Sequence, residues 1–169
     1  KESREDDLEN GWQQLCDKHI TKDDIVVGYS ASGTTPFVLS ILKHCRKEGI
    51  PTGCIVNNPH SPIAEWADYE VEVITGPEFV TGSTRMKAGT SQKLILDMIS
   101  TTLQIRQGRV EGNKMVNAKL INHKLIDRAC RIFMERNSEY KDYEEVRQLI
   151  LKAGSVKKAE MMISRHFDM

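Results

Sequence analysis

The chain has no net charge, with Lys plus Arg and Asp plus Glu each numbering 24 in 169 residues. No overall field therefore draws it to nucleic acid or to an anionic membrane, and any charged ligand has to be held locally. It has no apolar run long enough to span a bilayer and nothing built like a signal peptide, so a cytoplasmic location is expected. Its four cysteines, Cys16, Cys45, Cys54 and Cys130, form no CxxC pair, and no His stands at zinc-finger spacing from them. Buried, reduced thiols and no metal site are the expectation. Neither a Walker Lys nor a GxGxxG is present, which removes the two best-marked nucleotide loops. No repeat or low-complexity linker divides the chain. Its length suits one ordinary domain or one half of a larger one, and it opens on Lys1 inside an acidic segment, as expected of a piece cut from something longer.

What is present begins with VVGYSASGTTPFVLSIL, residues 26–42. Ile25, Val26 and Val27 are β-branched and follow the charged turn of Lys22, Asp23 and Asp24, so they predict a short buried strand ending near Gly28. Phe37, Val38, Ile41, Leu42 and Cys45 recur at helical spacing, and Pro36 suits a first helical turn, where a missing N–H costs nothing. Between these elements lie Ser30, Ser32, Gly33, Thr34 and Thr35. A helix start presents unpaired N–H groups and a positive dipole end, Gly33 is expected to let the backbone approach a ligand closely, and hydroxyls can add donors to the same anion, so a phosphate fits the loop. The competing reading is that Thr34 or Thr35 only caps the helix.

The remaining pattern is α/β followed by helices. Helix is predicted over residues 8–19 and from Pro36 to near Gly49, strand over 53–56, a short helix around Ala64, and a half-covered edge strand over 71–74, whose apolar residues alternate with Glu70 and Glu72. Strands alternating with helices predict a parallel sheet. A long helix over 83–105 carries Leu94, Ile95, Met98, Ile99 and Leu103 on one face. After Gly108 and Gly112 come helices over 115–135, 143–152 and 156–163, with Gly154 as a C-cap and Ser155 as an N-cap. The expected division is an α/β part over 1–108 and an all-helical C-terminal region over 109–169.

A second polar constellation lies in GPEFVTGSTRMKAGT, residues 76–90. Glu78 is its only acid, and Gly82, Ser83 and Thr84 precede Arg85 and Lys87 at the start of the long helix. Cations there oppose the helix dipole unless they meet an anion, or acids from another subunit. The alternative is that both side chains reach into solvent.

GYSASGTTPFV at 28–38, GPEFVTGSTRMKAGTSQKLILDMIST at 76–101 and GRVEGNKMVNAKLINHKLIDRACRIF at 108–133 together closely resemble the sugar isomerase (SIS) domain of the N-acetylmuramic acid 6-phosphate etherases. The resemblance runs over nearly the whole chain. The glucokinase regulatory protein, a binding protein, is similar through the middle motif. The resemblance implies a cofactor-independent, homodimeric lyase acting on a sugar phosphate substrate. In the family, a carboxylate removes the C2 proton of the open-chain sugar, a carboxylic acid protonates the departing lactyl oxygen, and water adds at C3. It further implies substrate contacts at Ser30, Ser32, Gly33, Thr34, Glu78, Ser83, Arg85 and Lys87.

The family's Gly-Thr-Ser-Gly-Arg phosphate loop and acid-donating Glu have no counterpart in this sequence, being upstream in the family. Its base falls on Glu5 of EDDLENGW in an ungapped reading, and on Glu2 if a gap is allowed. Thr34 stands where many members carry Arg, and Asn117 where they carry Asp. Three readings follow: a lyase, a sugar-phosphate-binding regulator without turnover, and a sugar-phosphate isomerase, which would release no lactate.

Overall fold

A computed structural model describes residues 5–8 and 10–167. The chain divides into two compact units, one running to Asp97 and one from Met98 onward.

The first unit begins with α1 (Asn10–Cys16), where Asp7 Oδ1 accepts from Asn10 N. Three strands follow, β1 (Val26–Ser30), β2 (Thr52–Val56) and β3 (Tyr69–Glu72), joined by α2 (Pro36–Lys47) and by a short 3₁₀ turn at Ala64–Trp66. They form a parallel sheet in the order β1-β2-β3, with Val26 opposite Thr52 and Gly53 opposite Tyr69. All five residues of β2 are buried, as a central strand covered on both faces requires. Leu42, Cys54, Val56 and Ile63 form its core with Val38, Leu39 and Trp66 around them. Thr52 is held from below by Asp68, whose carboxylate accepts from both its N–H and its hydroxyl and is thereby kept below the usual carboxylate range.

β1 and β3 are the sheet edges among the described residues. Ile25, expected to open the strand in a buried setting, lies just outside β1 and is 56 % exposed.

The long helix α3 starts at Lys87 rather than Ser83 and ends at Arg106. Residues 84–86 are held in turns, because the helix start is taken over by Glu78, as described below. The division between the two units falls inside α3. Leu94, Met98, Ile99 and Leu103, which share the predicted apolar face, are 40–56 % exposed in this chain.

The second unit opens with a small antiparallel hairpin, β4 (Val110–Glu111) and β5 (Lys114–Met115), turned at Gly112. It is followed by α4 (His123–Arg136), α5 (Tyr143–Ala153) and α6 (Val156–Phe167). The helix expected from residue 115 begins eight residues later. Met115 pairs in the hairpin, and Asn122 accepts from Leu125 N to start the helix instead. Asp142 caps α5 through Glu144 N and Glu145 N, and Gly154 closes it in the left-handed conformation at φ 82°. Ser155 Oγ then accepts from Lys158 N at the start of α6. Val116, Cys130, Phe133, Val146, Ile150 and Val156 make the core. Arg136 links Glu160 and Glu111, both at 2.6 Å, and so ties α4 to α6 and to the hairpin.

The expectation of buried thiols holds for Cys45, Cys54 and Cys130 but not for Cys16, which ends the short α1 and is exposed. No helix among the described residues is long and apolar enough to cross a membrane.

Candidate functional site

The candidate residues of the first unit sit on the loops that leave the carboxyl ends of the three parallel strands, where open α/β sheets place ligands. The loop after β1 is wired through hydroxyl groups. Ser30 is buried, accepts from Gly33 N at 3.0 Å and shares a hydrogen bond with Thr35 Oγ1 at 2.8 Å. Ser32 is exposed, and its Oγ accepts from Thr34 N at 3.2 Å and Thr34 Oγ1 at 3.0 Å. A serine hydroxyl has two acceptor sites and one proton, so Ser32 has spent its acceptors. Its remaining contact, Ser30 Oγ at 3.3 Å, is long, which leaves the Ser32 proton as the donor the loop can offer outward.

Gly33 does something other than the sequence pattern suggests. It lies at φ 73° and is buried against the loop after β2, where a Cβ on it would fall 2.0 Å from Ser61 Oγ. Its N–H is used by Ser30, and its carbonyl accepts from Ile63 N. The residue joins two loops instead of opening its backbone to an anion. Thr34 stays exposed, and Thr35 stands at the N-cap of α2 without capping it through its side chain, its hydroxyl being committed to Ser30. The capping alternative therefore fails for Thr35.

Glu5 belongs to this loop by a backbone link. Pro36 supplies no N–H, and the next donor of the helix start, Phe37 N, is given to Glu5 O at 2.9 Å. The backbone of Glu5 is thereby held against the first turn of α2, two residues beyond Thr35, and Glu5 itself is exposed. Glu2 lies outside the described residues.

The second group forms around Glu78. Its carboxylate accepts from Lys87 N and Ala88 N, each at 3.0 Å, and caps α3 from nine residues upstream. The two backbone N–H groups hold the carboxyl below its usual range. Lys87 Nζ donates to Pro77 O at 2.9 Å, and Arg85 Nε donates to Ser83 Oγ at 2.7 Å. The dipole conflict anticipated from the sequence is thus met locally: Glu78 supplies the acid at the helix start. Arg85 remains exposed, and with Lys87, Thr75, Thr90, Ser91, Met86 and Leu94 it lines an open depression of about 650 Å³. That volume is in the range of small-molecule sites.

No hydrogen bond among the described residues joins the hydroxyl loop directly to Arg85 or Lys87. The link runs through Asn57, a buried residue at the end of β2 that motif reading passed over. Its Nδ2 donates to Val73 O and Ser91 Oγ, its Oδ1 accepts from Gln92, and its N–H donates to Ala31 O. The only signal for it in the sequence was the turn-rich NNPHSP segment, which marks a loop but not a junction. Thr34 and Asn117, the two departures from the etherase pattern, are both exposed. Among the described residues no group of three or more His, Cys, Asp or Glu side chains is arranged to hold a metal ion.

The SIS domain family pattern matches residues 12–101, more than half of the chain. Among curated relatives, an N-acetylmuramic acid 6-phosphate etherase of Bacteroides thetaiotaomicron is 53% identical over 165 residues, covering 98% of this chain and 59% of that protein. One from Porphyromonas gingivalis is 54% identical over 157 residues, or 92% of this chain and 56% of that protein. One from Yersinia pseudotuberculosis is 49% identical over 134 residues, or 79% and 45%. The chain thus spans a little over half the length of the first two relatives and slightly less than half of the third.

Proposed function

The chain belongs to the SIS domain family, and on that premise we propose that it forms one part of an N-acetylmuramic acid 6-phosphate etherase. The reaction converts N-acetylmuramic acid 6-phosphate and water into N-acetylglucosamine 6-phosphate and D-lactate. A carboxylate takes the C2 proton of the open-chain sugar, the C3–O bond to the lactyl group breaks as that oxygen receives a proton, and water adds across the resulting C2–C3 double bond, hydroxyl to C3 and proton to C2. Two carboxyl groups in opposite protonation states are needed, which requires environments that separate their pKa values.

The observation that carries this reading is the 53–54% identity to etherases over 92–98% of this chain. The main-chain Phe37 N–Glu5 O hydrogen bond supports Glu5 as the base by holding its backbone beside a loop whose outward donor is Ser32. In this proposal Glu5 is the base, Ser32 and Thr34 face the phosphate from a loop that Ser30 and Gly33 hold in shape, and Glu78, Ser83, Arg85 and Lys87 form the other wall. The acid lies in the part that the relatives have and this chain does not. By the same resemblance the protein is a cytoplasmic homodimer working without a cofactor, and residues 1–169 alone release no lactate.

The test is Glu5→Gln in the full-length protein. Substrate binding is retained, while lactate release and solvent deuterium exchange at C2 fall by several orders of magnitude. Near-normal turnover would remove Glu5, and Glu2→Gln would then examine the other candidate. Sugar-phosphate binding by the unmutated protein without any lactate release would return the regulator reading.

A further inference from the structure

Asn57 holds the only side-chain amide whose hydrogen bonds reach the residue following β3, α3 and, through its own backbone, the loop after β1, counted among the described residues. Its two Nδ2 protons go to Val73 O at 2.9 Å and Ser91 Oγ at 2.8 Å, and its Oδ1 receives Gln92 Nε2 at 2.9 Å. Asn57 N donates to Ala31 O at 3.2 Å, and Asn58 Nδ2 reaches the same carbonyl at 2.9 Å. Ser91 Oγ passes the connection on to Ala88 O. Ala88 N is one of the two groups that Glu78 holds, next to Lys87.

One planar amide thereby fixes three directions at once. A carboxamide has two donor protons and an acceptor oxygen in a single plane, and here each is committed to a different residue, so a rotation that satisfies one partner breaks the others. With Asn57 only 7% exposed, water does not readily substitute for the lost partners. The first turns of α3 are therefore locked to the ends of β2 and β3, and the loop carrying Ser32 is locked to the same strand end. Lys87 opens that helix, and Arg85 stands two residues before it.

We infer that Asn57 is a positioning residue that sets the spacing between the hydroxyl loop of Ser30 and Ser32 and the cationic turn of Arg85 and Lys87, so that both can reach one phosphorylated sugar. The inference rests on the proposed sugar-phosphate site. It is a statement about geometry: Asn57 acts through Ser91, Gln92 and Ala31 and touches no ligand. A displacement of about 1 Å between two binding elements is enough to weaken a shared ligand strongly.

The experiment is a double-mutant cycle read by binding in the full-length protein, with N-acetylglucosamine 6-phosphate and N-acetylglucosamine as the probes. Asn57→Ser weakens the phosphorylated sugar about tenfold and the unphosphorylated one less than threefold. In an Arg85→Ala background the same change weakens the phosphorylated sugar less than threefold, because the contact that Asn57 positions is already gone. Gln92→Ala, at a half-buried residue, removes one of the three side-chain bonds and leaves the strand ends joined. It gives the same pattern at smaller amplitude and keeps the test informative if Asn57→Ser does not fold. Equal losses for both sugars, or losses that simply multiply with those of Arg85→Ala, would overturn the inference and leave the proposed function standing. An unmutated protein that binds neither sugar would remove the proposed function itself and this inference with it.

Discussion

Gly33 and Ser61 lie so close that a methyl group on Gly33 would fall 2.0 Å from Ser61 Oγ and 2.3 Å from its Cβ. Gly33 also sits at φ 73°, where a side chain is strained whatever the space around it. Gly33→Ala therefore lowers stability by about 1–3 kcal/mol, read as a fall in thermal midpoint. Combining it with Ser61→Gly recovers part of the loss, because the clash goes and the backbone strain stays. Full recovery would mean that the φ value carries no cost.

Ser30 and Ser32 are both in the loop but do different work. Ser30 is buried and satisfies Gly33 N, so Ser30→Ala leaves a buried donor unpaired and destabilises the fold by about 1–3 kcal/mol. Ser32 is exposed, and Ser32→Ala leaves the thermal midpoint within a degree or two of its original value (roughly the surface-substitution range). Its effect is on ligand: affinity for the 6-phosphate falls about ten- to a hundredfold, while that for the unphosphorylated sugar barely changes. Calorimetry with the two sugars, alongside thermal melts, separates the roles. The reverse assignment of stability and affinity to the two serines would contradict the hydrogen-bond pattern.

Glu78 gives the first unit a pH dependence of known sign. Its folded-state pKa is depressed, first by Ala88 N and Lys87 N and then by the Lys87 charge. A group of this kind stabilises the fold fully above its unfolded pKa, near 4.3, and the contribution is lost as pH falls through its lower folded value. Melts of the unmutated protein and of Glu78→Gln, taken from pH 7 down to pH 3, therefore converge on the acid side and differ most at neutral pH. A constant difference across that range would show that the carboxylate charge is not what holds the start of α3.

The sequence by itself determined the architecture. The β-branched run before Gly28, the helical spacing from Phe37 to Cys45 with Pro36 ahead of it, and the edge alternation around Val71 each specify an element through neighbours a few residues away. The Gly154 and Ser155 caps are equally local. Such signals are legible because dihedral preference, periodicity and capping act within about one turn or one strand. The family motifs, being contiguous, were legible for the same reason.

Only the tertiary structure decided how those parts meet. Gly33 faces Ser61 across 28 residues of chain, Glu5 reaches Phe37 across 32, and Asn57 joins Ala31, Val73, Ser91 and Gln92 over separations of 16 to 35. Nothing in a local pattern identifies which amide or hydroxyl will be buried beside which strand end. That is settled when the parallel sheet closes and each buried polar group has to find a partner. The same closure turned Glu78 from a lone acid in a basic loop into the cap of α3, and it gave Gly33 a packing duty in place of the open backbone that the loop's composition suggested.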